Sequence, residues 1–218
     1  ASISSTNPVS CNGGSDGTAT ATVSGGTLPY DYSWSNGQTL SGTVSGTNTV
    51  TGLVQGNISI TITDGKGCTA TDNTTITEPA VLSASMGSPS MVSCNGGNNG
   101  SVTVTGSGGT AATDYTYSWN TTPVQITATA SNLVAGNYTV TVTDDNGCTA
   151  TDNVAISEPT ALAATMGSPT MVSCNGAVPA DGSVTVTVTG GTVAGNYTYL
   201  WSDGQTTATA SNLSAGNY

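Results

Sequence analysis

From Asn57 to Asn73 the chain reads NISITITDGKGCTATDN, and from Asn137 to Asn153 it reads NYTVTVTDDNGCTATDN. Each stretch opens with strict alternation. Ile58, Ile60 and Ile62 in one, and Tyr138, Val140 and Val142 in the other, alternate with Ser, Thr or Asn. A period of two puts the apolar side chains on one face of a strand and the hydroxyls on the other. A Gly-bearing turn follows (Asp64-Gly65-Lys66-Gly67; Asp145-Asn146-Gly147), then a cysteine and a second Thr-rich strand. This pattern predicts a β-hairpin. A further copy opens at Asn217-Tyr218, the last two residues.

The same period recurs upstream of each hairpin. Ala19, Ala21 and Val23 match Val102 and Val104, and then Val184, Val186 and Val188. In the second copy the pattern predicts strands over 82–86, 101–105, 115–119, 127–133 and 138–143. Pro89 interrupts the first of these, as suits an edge strand. A Tyr-x-Tyr-x-Trp strand occurs three times, ending at Trp34, Trp119 and Trp201. It is followed by a Leu-x-x-Gly-x-Tyr corner at Leu133, Gly136, Tyr138 and at Leu213, Gly216, Tyr218, with Ile58 in place of Tyr in the first copy. The first copy is also longer between its Trp and this corner, from Asn36 to Thr51, by an extra strand or a decorated loop.

Cys68 and Cys148 lie 80 residues apart, as do Cys94 and Cys174. The repeat is therefore too long for a solenoid coil and right for a small β-sandwich. These patterns predict an all-β chain of tandem immunoglobulin-like sandwich repeats forming an extended rod. The expected modules are 1–79, 80–159 and 160–218, with short Pro-bearing linkers between them. Only the second should be complete. Ala1–Cys11 aligns with Ala84–Cys94 inside a copy, so the sequence reads as part of a longer array.

Packing and charge narrow the function. With no Phe in the chain, Trp34, Trp119, Trp201 and the corner residue Tyr138 are expected in the core. The other reading of the ring-bearing strand is a sugar platform built on its exposed tyrosines. One Lys, no Arg and no His among 218 residues leave nothing to neutralise phosphates or anionic lipid. Nucleic-acid binding is therefore excluded. The absence of His also removes the usual nucleophile and acid–base partners, so no enzyme is expected. No cofactor is called for. No run approaches transmembrane length, so no membrane insertion is expected of this segment.

The five cysteines occupy two kinds of position: before Asn-Gly (Cys11, Cys94, Cys174) and after the hairpin turn (Cys68, Cys148). In small, polar, Thr-rich modules such pairs predict disulfides and an oxidising compartment. Two pairings fit. Within copies, Cys11 joins Cys68 and Cys94 joins Cys148, leaving Cys174 without a partner. Between copies, Cys11 joins Cys148. Strand parity decides: an even number of intervening strands returns the chain to the same end of a sandwich. The second copy shows four candidate strands between Cys94 and Cys148, so pairing within copies is expected.

Asp72 and Asp152 share the register of inward-facing residues. The alternatives there are a cation site, a bulge that turns the carboxylate out, or a hydrogen bond to a neighbouring turn. The distance along the strand separates them from Asp64 and Asp144, which leaves Glu78 and Glu158 at the linkers as weak calcium candidates. Asn57, Asn73, Asn99, Asn120, Asn137, Asn196 and Asn212 each open an Asn-x-Ser/Thr sequon and are glycosylation candidates. Thr rows such as Thr139, Thr141, Thr143 are read as solvated strand faces rather than ice-binding planes.

Three motifs together resemble SprB-type repeats of Bacteroidota gliding-motility and cell-surface adhesins. They are Cys-Asn-Gly-Gly-x-x-Gly, Tyr-x-Tyr-x-Trp-x-x-Gly-Gln, and Leu-x-x-Gly-x-Tyr-Thr-Val-Thr-Val-Thr-Asp-x-x-Gly-Cys. The resemblance implies a secreted, extracellular, cell-surface protein whose repeats give mechanical extension and attachment in a filament or adhesin stalk. Its partners would be neighbouring repeats or filament subunits, with surface polysaccharide as a further partner. The alternatives are a lectin-like, carbohydrate-binding repeat and a self-assembling extracellular filament subunit.

Overall fold

The computed structural model describes residues 1–110, 114–173, 180–192 and 195–218. Sixteen strands and no helices are found among them. The first copy holds β1 (Ser2–Asn7), β2 (Gly17–Thr22), β3 (Tyr30–Trp34), β4 (Thr39–Thr43), β5 (Thr47–Leu53), β6 (Gly56–Thr63) and β7 (Thr69–Ile76). The second holds β8 (Ala80–Met86), β9 (Gly100–Gly109), β10 (Thr116–Trp119), β11 (Thr129–Leu133), β12 (Gly136–Thr143) and β13 (Thr149–Ile156). The third holds β14 (Ala163–Met166), β15 (Gly182–Thr189) and β16 (Thr209–Leu213).

Contacts divide the described chain into two compact units. One comprises Ala1–Gly87, Val104–Ala128 and Thr139–Asn153; the other comprises Ser88–Thr103, Thr129–Tyr138 and Val154–Tyr218. The division runs through the second copy.

In the first copy, two antiparallel sheets, β1-β2-β5 and β4-β3-β6-β7, form an immunoglobulin-like sandwich. The alternating residues of the facing strands fill the space between them. Ala19 and Ala21 come from β2, Tyr30, Tyr32 and Trp34 from β3, and Ile58, Ile60 and Ile62 from β6; they join Val9, Val50, Leu53 and Ile76 in one buried cluster. Burying so many β-branched and aromatic side chains on one face each is what fixes the register, since a one-residue slip would turn every one of them to solvent. The extra length of the first copy is β4, which pairs with the outer side of β3.

The second copy repeats the plan with sheets β8-β9-β11 and β10-β12-β13. Its buried residues include Val92, Val102, Val104, Trp119, Ala130, Leu133, Val140, Val142 and Ile156. The return from Trp119 to Thr129 forms no strand. The third copy has a single described sheet, β14-β15-β16, over a small cluster of Trp201, Ala210 and Leu213. Its Tyr197–Trp201 segment is not a strand. In the first two copies the same segment pairs with β6 or β12, and here no such partner strand is described.

All three tryptophans are buried, and each indole N–H finds an acceptor. Trp34 donates to Asn48 Oδ1 at 2.6 Å, Trp119 to Thr127 O at 2.9 Å and Trp201 to Thr207 O at 2.8 Å. Tyr138 corrects the expectation. It is only half-buried, because its hydroxyl turns back to Val134 O at 3.1 Å, and that tether holds the ring at the rim of the sheet. Tyr218 makes the same bond to Ser214 O.

Candidate junction site

The residues that recur most strictly in the sequence form two hydrogen-bonded corners at opposite ends of each hairpin. At the turn end, one aspartate organises the cysteine. Asp64 Oδ1 accepts the backbone N–H groups of Lys66 and Cys68, both at 2.9 Å, and Oδ2 accepts that of Thr27 at 2.9 Å. Asp144 does the same with Asn146, Cys148 and Thr110, at 3.0, 2.9 and 2.8 Å. The turn is thereby bolted to the Gly-rich loop that precedes the Tyr-x-Tyr-x-Trp segment. These bonds favour the charged form of the carboxyl. The N–H of Thr27 foremost, then that of Cys68, holds Asp64 below the ordinary carboxylate range; Thr110 foremost does so for Asp144.

At the other end, the Cys-Asn-Gly loop grips the Glu-Pro linker. Gly13 N donates to Glu78 Oε2 at 2.7 Å, and Asn12 Nδ2 donates to Pro79 O at 3.0 Å. Gly96 N and Asn95 Nδ2 bond Glu158 at 2.7 and 3.0 Å, and Asn95 Nδ2 also reaches Pro159 O. The loop itself is tied by Ser10 N to Asp16 Oδ1 and by Ser93 N to Asn99 Oδ1. Bonds from Ser10, its hydroxyl first, lower the pKa of Asp16. Both calcium candidates are thus occupied as backbone acceptors. Among the described residues no cluster of three or more Asp, Glu, His or Cys side chains is assembled.

The cysteines connect these two kinds of corner. Cys11 is bonded to Cys148, with a Cα–Cα distance of 5.7 Å and a sequence separation of 137. Beside the bond, Asn146 Nδ2 donates to Ser10 O at 2.9 Å. Cys68 and Cys94 are exposed and unbonded. The expected pairs Cys11–Cys68 and Cys94–Cys148 therefore do not form, and Cys174 lies outside the described residues. The physical reason is β4. In the first copy five strands, β2 to β6, separate Cys11 from Cys68, so the two stand at opposite ends of the sandwich. Cys11 sits near Glu78 beyond β7, and Cys68 sits before its start. An eight-residue strand spans about 26 Å, far beyond the ~4.4–6.8 Å a disulfide allows. The corresponding leg in the second copy makes no strand, so the count of strands there misleads. Closing a loop of this length contributes roughly 5 kcal/mol in the chain-entropy model.

Asp72 and Asp152 settle as backbone acceptors of the first strand. Asp72 Oδ2 accepts Ile3 N at 2.6 Å and Asp152 Oδ2 accepts Met86 N at 2.8 Å. The Ile3 bond, foremost, and the Asn73 bond lower the pKa of Asp72. Sequence alternation alone placed these carboxylates facing in; what it missed is the edge-strand N–H that meets them.

The tyrosines of the ring-bearing strand are packed or tethered. Tyr30 and Tyr32 are buried, with hydroxyls on Gly25 O and Ser45 O. Tyr115 and Tyr117 are half-buried, and Tyr115 bonds Gly108 O at 2.8 Å. No row of open rings is presented for a sugar. The seven sequon asparagines are all exposed.

Fold and corners together define a class: an all-β tandem-repeat protein whose recurrent residues serve the joints between strands and copies. The SprB repeat model matches residues 3–39, 87–123 and 167–206, a little over half of the chain, and the chain belongs to that family. No curated protein matches it. Among solved structures it is similar to the C-terminal 282-residue fragment of intimin in complex with the intimin-binding domain of the translocated intimin receptor. That match has 16% identity and a TM-score of 0.40, covering 75% of this chain and 67% of that one. It is also similar to a tetra-tandem repeat from the extending region of a large adhesion protein, at 16% identity and TM-score 0.28, covering 98% of this chain and 62% of that one. The N-terminal eight immunoglobulin domains of Down syndrome cell adhesion molecule match at 14% identity and TM-score 0.32, over 96% of this chain and 32% of that one.

Proposed function

We propose that the chain is a load-bearing repeat region of an extracellular, cell-surface adhesin or filament, with 1–79, 80–159 and 160–218 as its modules. Neighbouring repeats are its principal partners. Membership of the SprB repeat family supports the setting. The observation that carries the mechanical part is the Cys11–Cys148 bond, which joins the loop of one copy to the hairpin turn of the next. Tension entering near Cys11 can pass through this bond to Cys148 and bypass the intervening residues 12–147. A disulfide in this role suits an oxidising compartment.

Single-molecule stretching from the two termini tests this. Under oxidising conditions the residues between Cys11 and Cys148 should stay out of the extension. Reduction, or Cys11→Ser, should add roughly 450 Å of contour length at ~3.3 Å per residue. Equal extension with and without reductant would refute the load path. Packed tyrosines give the lectin-like alternative no platform, and a glycan array showing no saturable binding would accord with that.

A further inference from the structure

Asn-Gly pairs stand at Asn12, Asn36, Asn95, Asn99, Asn146 and Asn175, the last outside the described residues. In such a pair the glycine nitrogen can attack the asparagine carboxamide, because no Cβ blocks the approach. The dipeptide is the same at every site, so the fold sets how readily each one reacts.

Most of these sites are held. Asn12 Nδ2 donates to Pro79 O at 3.0 Å, while Gly13 N donates to Glu78 Oε2 at 2.7 Å. Asn95 and Gly96 repeat this with Pro159 O and Glu158. Attack by either glycine must first break a bond to a carboxylate, about twice as strong as a neutral one. Asn99 is clamped by Ser93: Oδ1 accepts Ser93 N at 2.9 Å and Nδ2 donates to Ser93 Oγ at 2.8 Å. Its glycine, Gly100, is buried in β9 opposite Leu133. Asn146 Nδ2 donates to Ser10 O at 2.9 Å and to Thr110 Oγ1 at 3.2 Å.

Asn36 differs. It lies exposed in the turn of residues 35–38 that joins β3 to β4. Its Nδ2 has no partner among the described residues. Its Oδ1 accepts Gln38 N at 3.1 Å, which folds the carboxamide back over the Asn36–Gly37 peptide. That N–H also faces the oxygen on which negative charge gathers when Cγ is attacked. Gly37, at φ 88°, stands in open space. Its own N–H donates to Trp34 O at 3.0 Å, a neutral turn bond.

We propose that Asn36 is a site of self-modification by deamidation, with water as the only co-reactant. The Gly37 nitrogen gives up its proton to solvent base and bonds to Asn36 Cγ. The Cγ–Nδ2 bond breaks, Nδ2 leaves as ammonia, and a five-membered succinimide remains. Water then opens the ring at either carbonyl. Breaking the new Cγ–N bond leaves an aspartate; breaking the original peptide bond leaves an isoaspartate with one more methylene in the main chain. One water enters, one ammonia departs, and nothing is oxidised. The third copy shows the turn with an aspartate in place. Asp203-Gly204-Gln205 corresponds to Asn36-Gly37-Gln38, and Asp203 accepts Gln205 N at 3.2 Å and Gln205 Nε2 at 2.7 Å. The isoaspartate has no such precedent. β4 is an exposed edge strand hung on this turn, so the longer main chain loosens β4 and leaves the core in place.

The test incubates the 218-residue chain, folded and denatured in guanidinium, in mildly alkaline heavy-oxygen water. Mass spectrometry of the reduced, chymotrypsin-digested chain then reads label uptake at each Asn-Gly. Denatured chains should react at comparable rates at every site. Folding should slow Asn12, Asn95, Asn99 and Asn146 by roughly tenfold or more, the worth of one or two hydrogen bonds, and leave Asn36 the fastest. Amide hydrogen exchange across residues 39–43 should quicken in the isoaspartyl fraction and stay unchanged in an Asn36→Asp variant. Slowing of Asn36 as great as that of the other sites, or unchanged exchange across β4 in the isoaspartyl fraction, would overturn the proposal.

Discussion

Asp144 shows how this chain spends its charge. Its carboxylate faces no cation; it accepts three backbone N–H groups and so fixes a turn. Asp64 fixes its own turn in the same way, Asp72 within β7 accepts two backbone N–H groups, from Ile3 and Asn73, and all three are held below the ordinary carboxylate range by those bonds. The folded chain therefore binds these protons more weakly than the unfolded chain, whose aspartates titrate near 3.9. The stabilisation is complete above that value and is lost as pH falls through the lower folded values. Thermal melts should give a Tm that is level from neutrality to about pH 5 and drops below about pH 4. Asp144→Asn should remove part of that drop; a Tm still level at pH 2 would contradict the assignment. The roles of these aspartates were half legible. The alternation marked Asp72 as facing in, but nothing along the chain announces that an edge-strand N–H waits opposite it.

At the scale of strands, one irregularity is conserved in all three copies. β5, β11 and β16 each break register just before their final Leu. The residue at the break has positive φ: Gly52 at 72°, Asn132 and Asn212 at 55°. Gly and Asn are the residues that enter this region at least cost. Asn132→Gly should leave stability nearly unchanged, and Asn132→Val should cost about 1–2 kcal/mol, read as a shift in urea midpoint at constant slope. Strands with a clean period of two, such as β6 and β12, could be placed from sequence because one buried face dictates their pattern. β4 could not, since Thr39–Thr43 is exposed along nearly its whole length and has no face to declare. That single silent strand reverses the parity between Cys11 and Cys68, which is why the cysteines could be recognised as staples but not correctly paired. The Tyr197–Trp201 segment makes the complementary point: the same motif as β3 is no strand where no partner is described beside it.

Across the molecule, twelve acids face a single lysine, yet the acids are not idle surface. Asp16, Asp31, Asp64, Asp72, Asp144, Asp152, Asp181, Glu78 and Glu158 all accept backbone N–H groups. A chain with few charges has placed most of them where they close loops. The Cys11–Cys148 bond adds one more property to this design, concerning survival after damage. Outside a cell, exposed turns are open to proteases. A cut anywhere between residues 12 and 147 leaves both pieces on one covalent thread, because the bond bridges the wound. Limited proteolysis should therefore yield nicked chains that run at full mass on a non-reducing gel and fall into two fragments only when a thiol is added. Release of fragments without reductant would show that the bridge is open in solution. With the bridge intact, a first cut within this span shortens nothing, and severing the polymer there takes a second event.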